Sequence, residues 1–443
     1  MNKSVAVNKI VVTGVAGIFP NSKNVEELFA NLDEKKQLLS PVDPKWKSFL
    51  QNSPVFIGKQ PLVGEFDAGY FGIPYKHAKE MHPGCRKLLE LSVEAVIDSG
   101  TNPLDLKGSK TGVFVTSNEI ESKNEWVMRK LSSPNFSMFG VSNSILAAII
   151  SYNLQLQGPS VTVDTSCSSS LSALEVAMRS ILSGRCDSAL VCGFNIVQNP
   201  NVVFGFQHLG ALNTSGNLNV FNESCDGYTK SEAATVIFIQ KLQDAKRIYA
   251  EILTAKSNHD GFKNTGILHP SSDVIADVFY DAYDEVGVDP ASVFFVESHI
   301  TGTKVGVIEE VQAIEKVFCS HRKTPLPIGS IKANLGHCEP ISGLVSLIKV
   351  RVGSSRALKT VNNLQILVGF QHDCVLPVPD YKTLKPYVDA FQTGKIVVPT
   401  ERISMPKNQD VIIGCNNLGV GGSNCHVVLK HHHKTQCNSV KTY

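Results

Sequence analysis

The stretch VTVDTSCSSSLSALEVAMRSILSG, residues 161–184, decides how the rest of the chain is read. Val161–Asp164 is extended and apolar in type and predicts a strand. Ser168–Ser183 spaces its apolar residues as a helix does. Cys167 falls at the junction, in a run of small hydroxyl residues. A thiol at a helix N-terminus faces unpaired amide N–H groups and the positive end of the helix dipole, and both favour the thiolate. Ser168, Ser169 and Ser170 are small enough to leave room for a substrate and polar enough to cap the helix. The other reading of Cys167 is a small buried core residue, which is the reading we give to Cys186, Cys192 and Cys415.

Outward from this unit, Ser188–Cys192 is a second short apolar strand. Ile10–Thr13 and Thr111–Thr116 read as buried strands, and Val25–Leu32, Met81–Asp98 and Ser142–Tyr152 as helices. The later half repeats the theme. Ala234–Gln240 and Tyr249–Ala255 look like paired strands. Val293–Glu297, Pro327–Ser330, Val411–Cys415 and Cys425–Lys430 are strands, and Val274–Val286, Glu309–Val317 and Ile341–Val350 are helices. Strands alternating with helices predict an α/β layered architecture with buried sheets. There is no sequence repeat, only a similar order of elements in the two halves. We divide the chain into an N-terminal half, residues 1–255, a C-terminal half, residues 256–430, and a polar tail, residues 431–443.

The 443 residues are 42% hydrophobic, ample for a large core. Lys plus Arg is 42 and Asp plus Glu is 40, a net charge of +2, so nothing points to nucleic acid or an anionic membrane surface. No apolar run approaches the roughly 18 residues of a membrane span, and no signal-peptide core follows the N-terminus. Eleven cysteines without paired spacing read as reduced cytosolic thiols. No CxxC pair suggests zinc, and we expect no metal. His431, His432 and His433 read as part of a solvated end. Gly14 and Gly17 are too few for a dinucleotide fingerprint.

Two further stretches bear on Cys167. VESHITGTKVG, residues 296–306, puts His299 directly after a strand, and IGSIKANLGHCEPISG, residues 328–343, puts Lys332 and His337 before a helix. A thiol and two histidines at strand ends predict one shared site, because strand ends hold catalytic groups rigidly.

These motifs resemble those of the β-ketoacyl synthase, or condensing-enzyme, family. They are most similar to the ketosynthase domain of animal-type fatty acid synthases and of related polyketide synthases. DTSCSSSL resembles the family's nucleophile motif, ESHITGT its first histidine motif and IKANLGH its second. GPSVTVDTSCSSS, CDGYTKSE, NHDGFK and GVGGSNCHVVL follow in the family's order. The resemblance implies a thiolase-like five-layered αβαβα sandwich of two similar halves, acting as a dimer in the cytoplasm. It implies that Cys167 accepts an acyl chain, that malonyl on an acyl carrier protein loses CO₂, and that the enolate attacks the acyl-Cys carbonyl. His299 and His337 would stabilise the enolate oxygen, with Lys332 and Glu310 tuning the electrostatics and Thr301, Thr303 and Asn334 supporting the loops. The backbone N–H groups of Cys167 and Val420 match the family's oxyanion hole, with Val420 also at the position of an acyl gate. The chain itself would bind no cofactor; phosphopantetheine would arrive on the carrier protein.

The chain departs from the family's pattern at several places. Ile300 stands where a glycine is usual, Val307 and Ile308 where Asp-Pro is usual, and Leu418 and Val420 where two phenylalanines are usual. Ala148-Ile149, His82-Pro83-Gly84 and Lys230 also differ. Arg351–Pro379 does not follow the pattern, which predicts a local insertion or a mis-assembled coding segment. These departures keep open a catalytically impaired paralogue or fragment that binds acyl chains or partners. A cysteine hydrolase with a Cys/His pair, and a thiolase using Cys425 as a base, are more distant readings. Acyl chain length, and fatty acid against polyketide synthesis, are not written in these residues.

Overall fold

A computed structural model describes residues 9–43, 56–61, 64–117, 142–350, 374–379, 388–406 and 409–431. Nine consecutive buried residues, Ile10–Ile18, form β1; a run with no exposed face belongs inside a covered sheet. β2 (Thr111–Ser117), β3 (Ser160–Thr162), β4 (Ser188–Asn195) and β5 (Ala233–Lys241) complete a first set of strands. β6 (Ala250–His259), β7 (Phe295–Glu297), β8 (Leu326–Gly329), β9 (Ile396–Val397), β10 (Ile412–Leu418) and β11 (Ser423–Lys430) form a second.

All eleven lie in the order β9-β8-β7-β10-β11-β6-β1-β5-β4-β2-β3. Outward from β1 the first set runs β5, β4, β2, β3. Outward from β6 the second runs β11, β10, β7, β8, with β9 added at the edge. The directions also correspond: antiparallel, antiparallel, parallel, parallel in each half. The sets meet where β1 pairs with β6 over only Ile10–Val12 against Ala250–Ile252. The similar order of elements noted in the sequence is thus a duplicated topology.

The helices sort into three layers. α1 (Pro83–Asp98) covers β1, β4 and β5, and α2 (Asn143–Asn153) covers β2 and β3. α3 (Ser169–Leu182) touches β2 and β4 on one side and β6 and β11 on the other. α4 (Ser272–Val286) covers β6 and β11 and packs on α5 (Lys304–Phe318), while α6 (Ser342–Val350) touches β5, β7, β10 and α3. Helix, sheet, helix, sheet, helix is the expected αβαβα sandwich of two similar halves. In its central layer Leu171, Leu174 and Ile181 of α3 join Leu344, Val345 and Ile348 of α6 in one buried core. Each fully buried aliphatic side chain there stabilises the fold by roughly 1.5–3 kcal/mol. The unusual His82-Pro83-Gly84 is a sound helix start: His82 Nδ1 accepts the Gly84 N–H at 3.0 Å and its ring stacks on Phe194.

One pairing differs from the sequence reading. β5 and β6 are consecutive strands but do not pair with each other; β1 lies between them and pairs with both. Apolar runs identify strands but not their neighbours. The two strand sets divide between Lys241 and Ala250. Most of the aberrant stretch Arg351–Pro379 lies outside the described residues; within its end, Cys374 and Val375 pair with Ser404 and Ile403. Of the tail only His431 is described, its N–H donating to the Val411 carbonyl; His432 and His433 lie outside the described residues. Among the described residues no helix is long and apolar enough to cross a membrane.

Candidate active site

The turn between β3 and α3 is a hydroxyl-braced elbow. Asp164 Oδ1 accepts the Ser166 N–H at 3.0 Å, and Ser169 Oγ accepts the Thr165 N–H at 2.8 Å. Ser168 Oγ donates to the Thr165 carbonyl and Ser169 Oγ to the Ser166 carbonyl. These bonds hold Ser166 at φ +58°, a left-handed conformation that non-glycine residues seldom adopt. The elbow throws the next residue, Cys167, into the interior between the two halves. Ser168, Ser169 and Ser170 are therefore braces, fully buried. Ser168, at the N-cap, makes no side-chain capping bond.

His299 follows β7. Glu310 of α5 takes three hydrogen bonds that fix this loop: from the N–H of His299 at 2.6 Å, the N–H of Ile300 at 2.8 Å, and Asn416 Nδ2 at 3.0 Å. The neighbouring Asn417 donates through Nδ2 to His299 Nδ1 at 3.0 Å and to Ser342 Oγ at 2.9 Å. Ser342 Oγ in turn donates to the Cys167 carbonyl at 3.3 Å. Ile300 does not occupy a glycine conformation. Its φ is negative, and it is buried with Val307 and Val311 in the outer core of the second half. The positive φ of this loop belongs to Gly302, at +102°, where a Cβ would meet the Gly227 carbonyl oxygen at 2.7 Å.

His337 is clamped by its backbone. Its N–H donates to the Thr229 carbonyl and its carbonyl accepts the Ser231 N–H, so that Lys230 pairs with it as in a short parallel ladder. Gly336 before it, at φ +82°, lets the loop pass within 2.6 Å of the Thr229 oxygen at the place a Cβ would occupy. Glu339 accepts from buried Lys230 Nζ at 2.6 Å and from the Tyr228 hydroxyl at 2.9 Å, and the Tyr228 ring meets the His337 ring edge to face.

Cys167 Sγ lies 3.1 Å from His337 Nε2. The His299 and His337 rings are 5.2 Å apart between centroids and nearly perpendicular. The sulfur and one nitrogen of each ring all lie within 4.8 Å of one another. Three distant stretches of chain thus converge as their sequence motifs predict. Among the described residues Lys332 Nζ is buried without a hydrogen-bond partner. Burial lowers its pKa, partly offset by Glu297 and Glu310. Burial and the Lys332 charge hold both imidazoles well below their ordinary pKa, so at neutral pH each is an uncharged N–H donor. The Val420 backbone is among the groups that lower the thiol pKa, and Val420, 55% exposed, sits in the turn between β10 and β11. The other residues named from sequence do not reach the sulfur through any hydrogen bond described. Thr301 and Thr303 face each other at 3.5 Å. Asn334 ties its loop to residues 36–38 through the Lys36 carbonyl and the Leu38 N–H.

The thiol itself departs from expectation. Burial, with the Glu339 carboxylate second, pushes its pKa up to about 11. Desolvation of the sulfur outweighs the helix terminus, so the ground state is a thiol with an imidazole beside it. Alkylation of Cys167 by a small neutral reagent should accordingly rise about tenfold per pH unit from pH 7 and level off near pH 11. Peptide mass mapping of the Cys167 adduct measures this; a rate already flat at pH 7 would show a resident thiolate.

With this geometry in view, the comparisons with known proteins agree. The Beta-ketoacyl synthase N-terminal domain matches residues 7–245, the Beta-ketoacyl synthase C-terminal domain residues 249–354, and the Ketoacyl-synthetase C-terminal extension residues 385–442. The chain belongs to the β-ketoacyl synthase family. It is a ketosynthase domain, a condensing and acyl-transferring enzyme by that membership. It is 41% identical to a fatty acid synthase of Anser anser anser over 341 residues, 77% of this chain and 97% of that sequence. It is 34% identical to a highly reducing polyketide synthase, sdnO, of Sordaria araneosa over 452 aligned positions, 97% of this chain but only 14% of that protein. Among solved structures it is similar to the oxazolomycin ketosynthase domain OzmH KS7 of Streptomyces albus, with a TM-score of 0.86 at 26% identity over 96% of this chain and 75% of that one. It is also similar to the ketosynthase from module 6 of the bacillaene synthase of Bacillus subtilis, with a TM-score of 0.85 at 28% identity over 96% and 72%. The interval between the second and third family matches overlaps the stretch Arg351–Pro379 that fails to follow the pattern.

Asn417, Ser342, Tyr228 and Glu339 were not singled out from the sequence. The adjacent amides Asn416-Asn417 inside the apolar strand IIGCNNL were the available signal, since buried amides demand partners.

Proposed function

We propose that the chain is a 3-oxoacyl-[acyl-carrier-protein] synthase that extends acyl chains by decarboxylative condensation. The observation that carries this reading is the convergence of Cys167 Sγ and the two imidazoles within 4.8 Å. The sulfur, 3.1 Å from His337 Nε2, attacks an acyl thioester, and its proton passes to the departing carrier thiolate. The acyl group moves to sulfur and the carrier thiol leaves with a proton. The carbonyl oxygen turns to the N–H groups of Cys167 and Val420. A malonyl thioester then enters and loses CO₂. Its enolate oxygen is held by N–H groups of the two neutral rings, each donor contributing about 3–4 kcal/mol to the lowered barrier. The enolate carbon forms a bond to the acyl carbonyl carbon, the Cys167–acyl bond breaks, and the departing thiolate takes a proton from water to restore the thiol.

The thioesters would be presented on the phosphopantetheine arm of an acyl carrier protein. No two of the ten buried cysteines among the described residues are joined to each other by a disulfide, which suits a reducing cytoplasm. The edge strand β3, with Val161 and Tyr152 exposed beside it, is where we place a homodimer contact.

Reconstitution with acyl- and malonyl-loaded carrier protein tests the reading. Wild type should yield a β-ketoacyl thioester. His299→Ala should still acquire the acyl group on Cys167 but lose about 10²–10³-fold in product formation. Acylation without any condensation by wild type would return the chain to the impaired, acyl-binding reading. Val420→Phe places a ring over the mouth of the site and should slow loading of longer acyl chains relative to acetyl. Equal loading rates for every chain length would remove Val420 from any gating role.

A further inference from the structure

The sulfur and two imidazoles that serve acyl transfer are also a ligand set. Zinc sites draw on these donor types, thiolate and imidazole, with Zn–S near 2.3 Å and Zn–N near 2.0–2.1 Å, which puts tetrahedral ligand atoms about 3.3–3.6 Å apart. Here the sulfur and His337 Nε2 are already at 3.1 Å and all three donors lie within 4.8 Å, so small side-chain rotations close the site. The outer contacts suit a metal as well. Asn417 holds the His299 ring through Nδ1; for the other ring nitrogen to ligate, the ring proton moves to Nδ1 and the Asn417 amide turns its unpartnered Oδ1 to accept it. His299 is somewhat less covered than Cys167 and His337, both of which are buried. The formal charges around the site balance: Glu297, Glu310 and Glu339 against Lys230, Lys332 and Lys349, all buried. Lys332 is the group that opposes a cation most directly, and Glu297 and Glu310 offset it.

We propose that this site takes one zinc(II) ion, bound by Cys167 Sγ and one ring nitrogen each of His299 and His337 with water in the fourth position, and that zinc and an acyl group exclude each other. On binding, the Cys167 S–H bond breaks, a sulfur–zinc bond forms, the proton passes to solvent, and the ion sheds water ligands. An acylated sulfur has no thiolate to offer, so occupancy by zinc lowers loading and prior loading lowers zinc affinity by the same factor. This goes beyond the condensing activity, and its test does not depend on that activity.

The probe is cobalt(II), titrated into the whole purified chain under non-thiol reductant and then displaced with zinc(II). The expected result is one equivalent of cobalt with a thiolate-to-cobalt absorption band, bleached by one equivalent of zinc. The band should be absent in Cys167→Ser, the affinity at least tenfold weaker in His299→Gln, and both cobalt and zinc excluded after acylation of Cys167. Near-ultraviolet circular dichroism equal to wild type shows that each variant is folded. If Cys167→Ser does not fold, the His299→Gln affinity and the acylation block decide the matter. A missing sulfur band, or a band of unchanged strength in Cys167→Ser, would place any metal on other thiols or on the C-terminal histidines and overturn the proposal.

Discussion

Cys167→Ala should abolish the acyl-enzyme and slow β-ketoacyl formation by about 10³-fold or more, because the covalent half-reaction then has no nucleophile. The substitution removes one sulfur atom from a buried position beside His337 and leaves the braces of the elbow untouched. The fold should survive with a loss of about 1–2 kcal/mol at most. Both imidazoles stay in place, so the variant separates acyl transfer from enolate stabilisation. Intact mass after incubation with an acyl thioester reads the first, and product analysis with malonyl-loaded carrier protein the second. A stable acyl adduct on the variant would move the nucleophile to another residue and dismantle the mechanism.

Glu310→Ala should be the most damaging substitution among residues that never touch substrate. Its carboxylate is the sole acceptor described for three donors packed around it, the N–H groups of His299 and Ile300 and the amide of Asn416. It also lies close to Lys332, whose ammonium has no hydrogen bond of its own. Removing it leaves a buried cation less compensated and three donors orphaned, a loss of about 3–5 kcal/mol of stability. Because the same bonds aim the His299 loop, condensation should fall further than acylation. Glu310→Gln keeps an acceptor and should recover part of both. Denaturant unfolding and the two half-reaction assays measure the effects; unchanged unfolding and unchanged condensation in Glu310→Ala would show that the loop is held by its apolar packing alone.

What the sequence disclosed and what it hid follow from how far apart the cause and effect lie along the chain. The elbow was legible because strand, turn and helix are all written within residues 161–184. The histidines were legible because their motifs end strands, and the two halves were legible as an order of elements. Three things were not. That β1 separates β5 from β6 depends on contacts between residues more than two hundred positions apart, which no local pattern records. The raised pKa of Cys167 is set by burial and by Glu339, and neither is visible at the helix start, where only the dipole can be read. The tolerance of Ile300 depends on its φ, and the residue with the special conformation proved to be Gly302, two positions on. The supporting residues Asn417, Ser342 and Tyr228 were hidden for the same reason: each acts on a partner brought near only by tertiary packing.

The duplicated topology has one more consequence. α3 and α6 hold equivalent places in the two halves, and the chemistry sits at their starts: Cys167 just before the first, His337 and Ser342 at the approach to the second. Each repeat thus contributes only part of the catalytic apparatus, so a symmetric architecture carries a division of labour. Turnover then reports on the docking of one repeat against the other, and a protein cut between Lys241 and Ala250 would own every group it needs yet remain silent until its two pieces find each other.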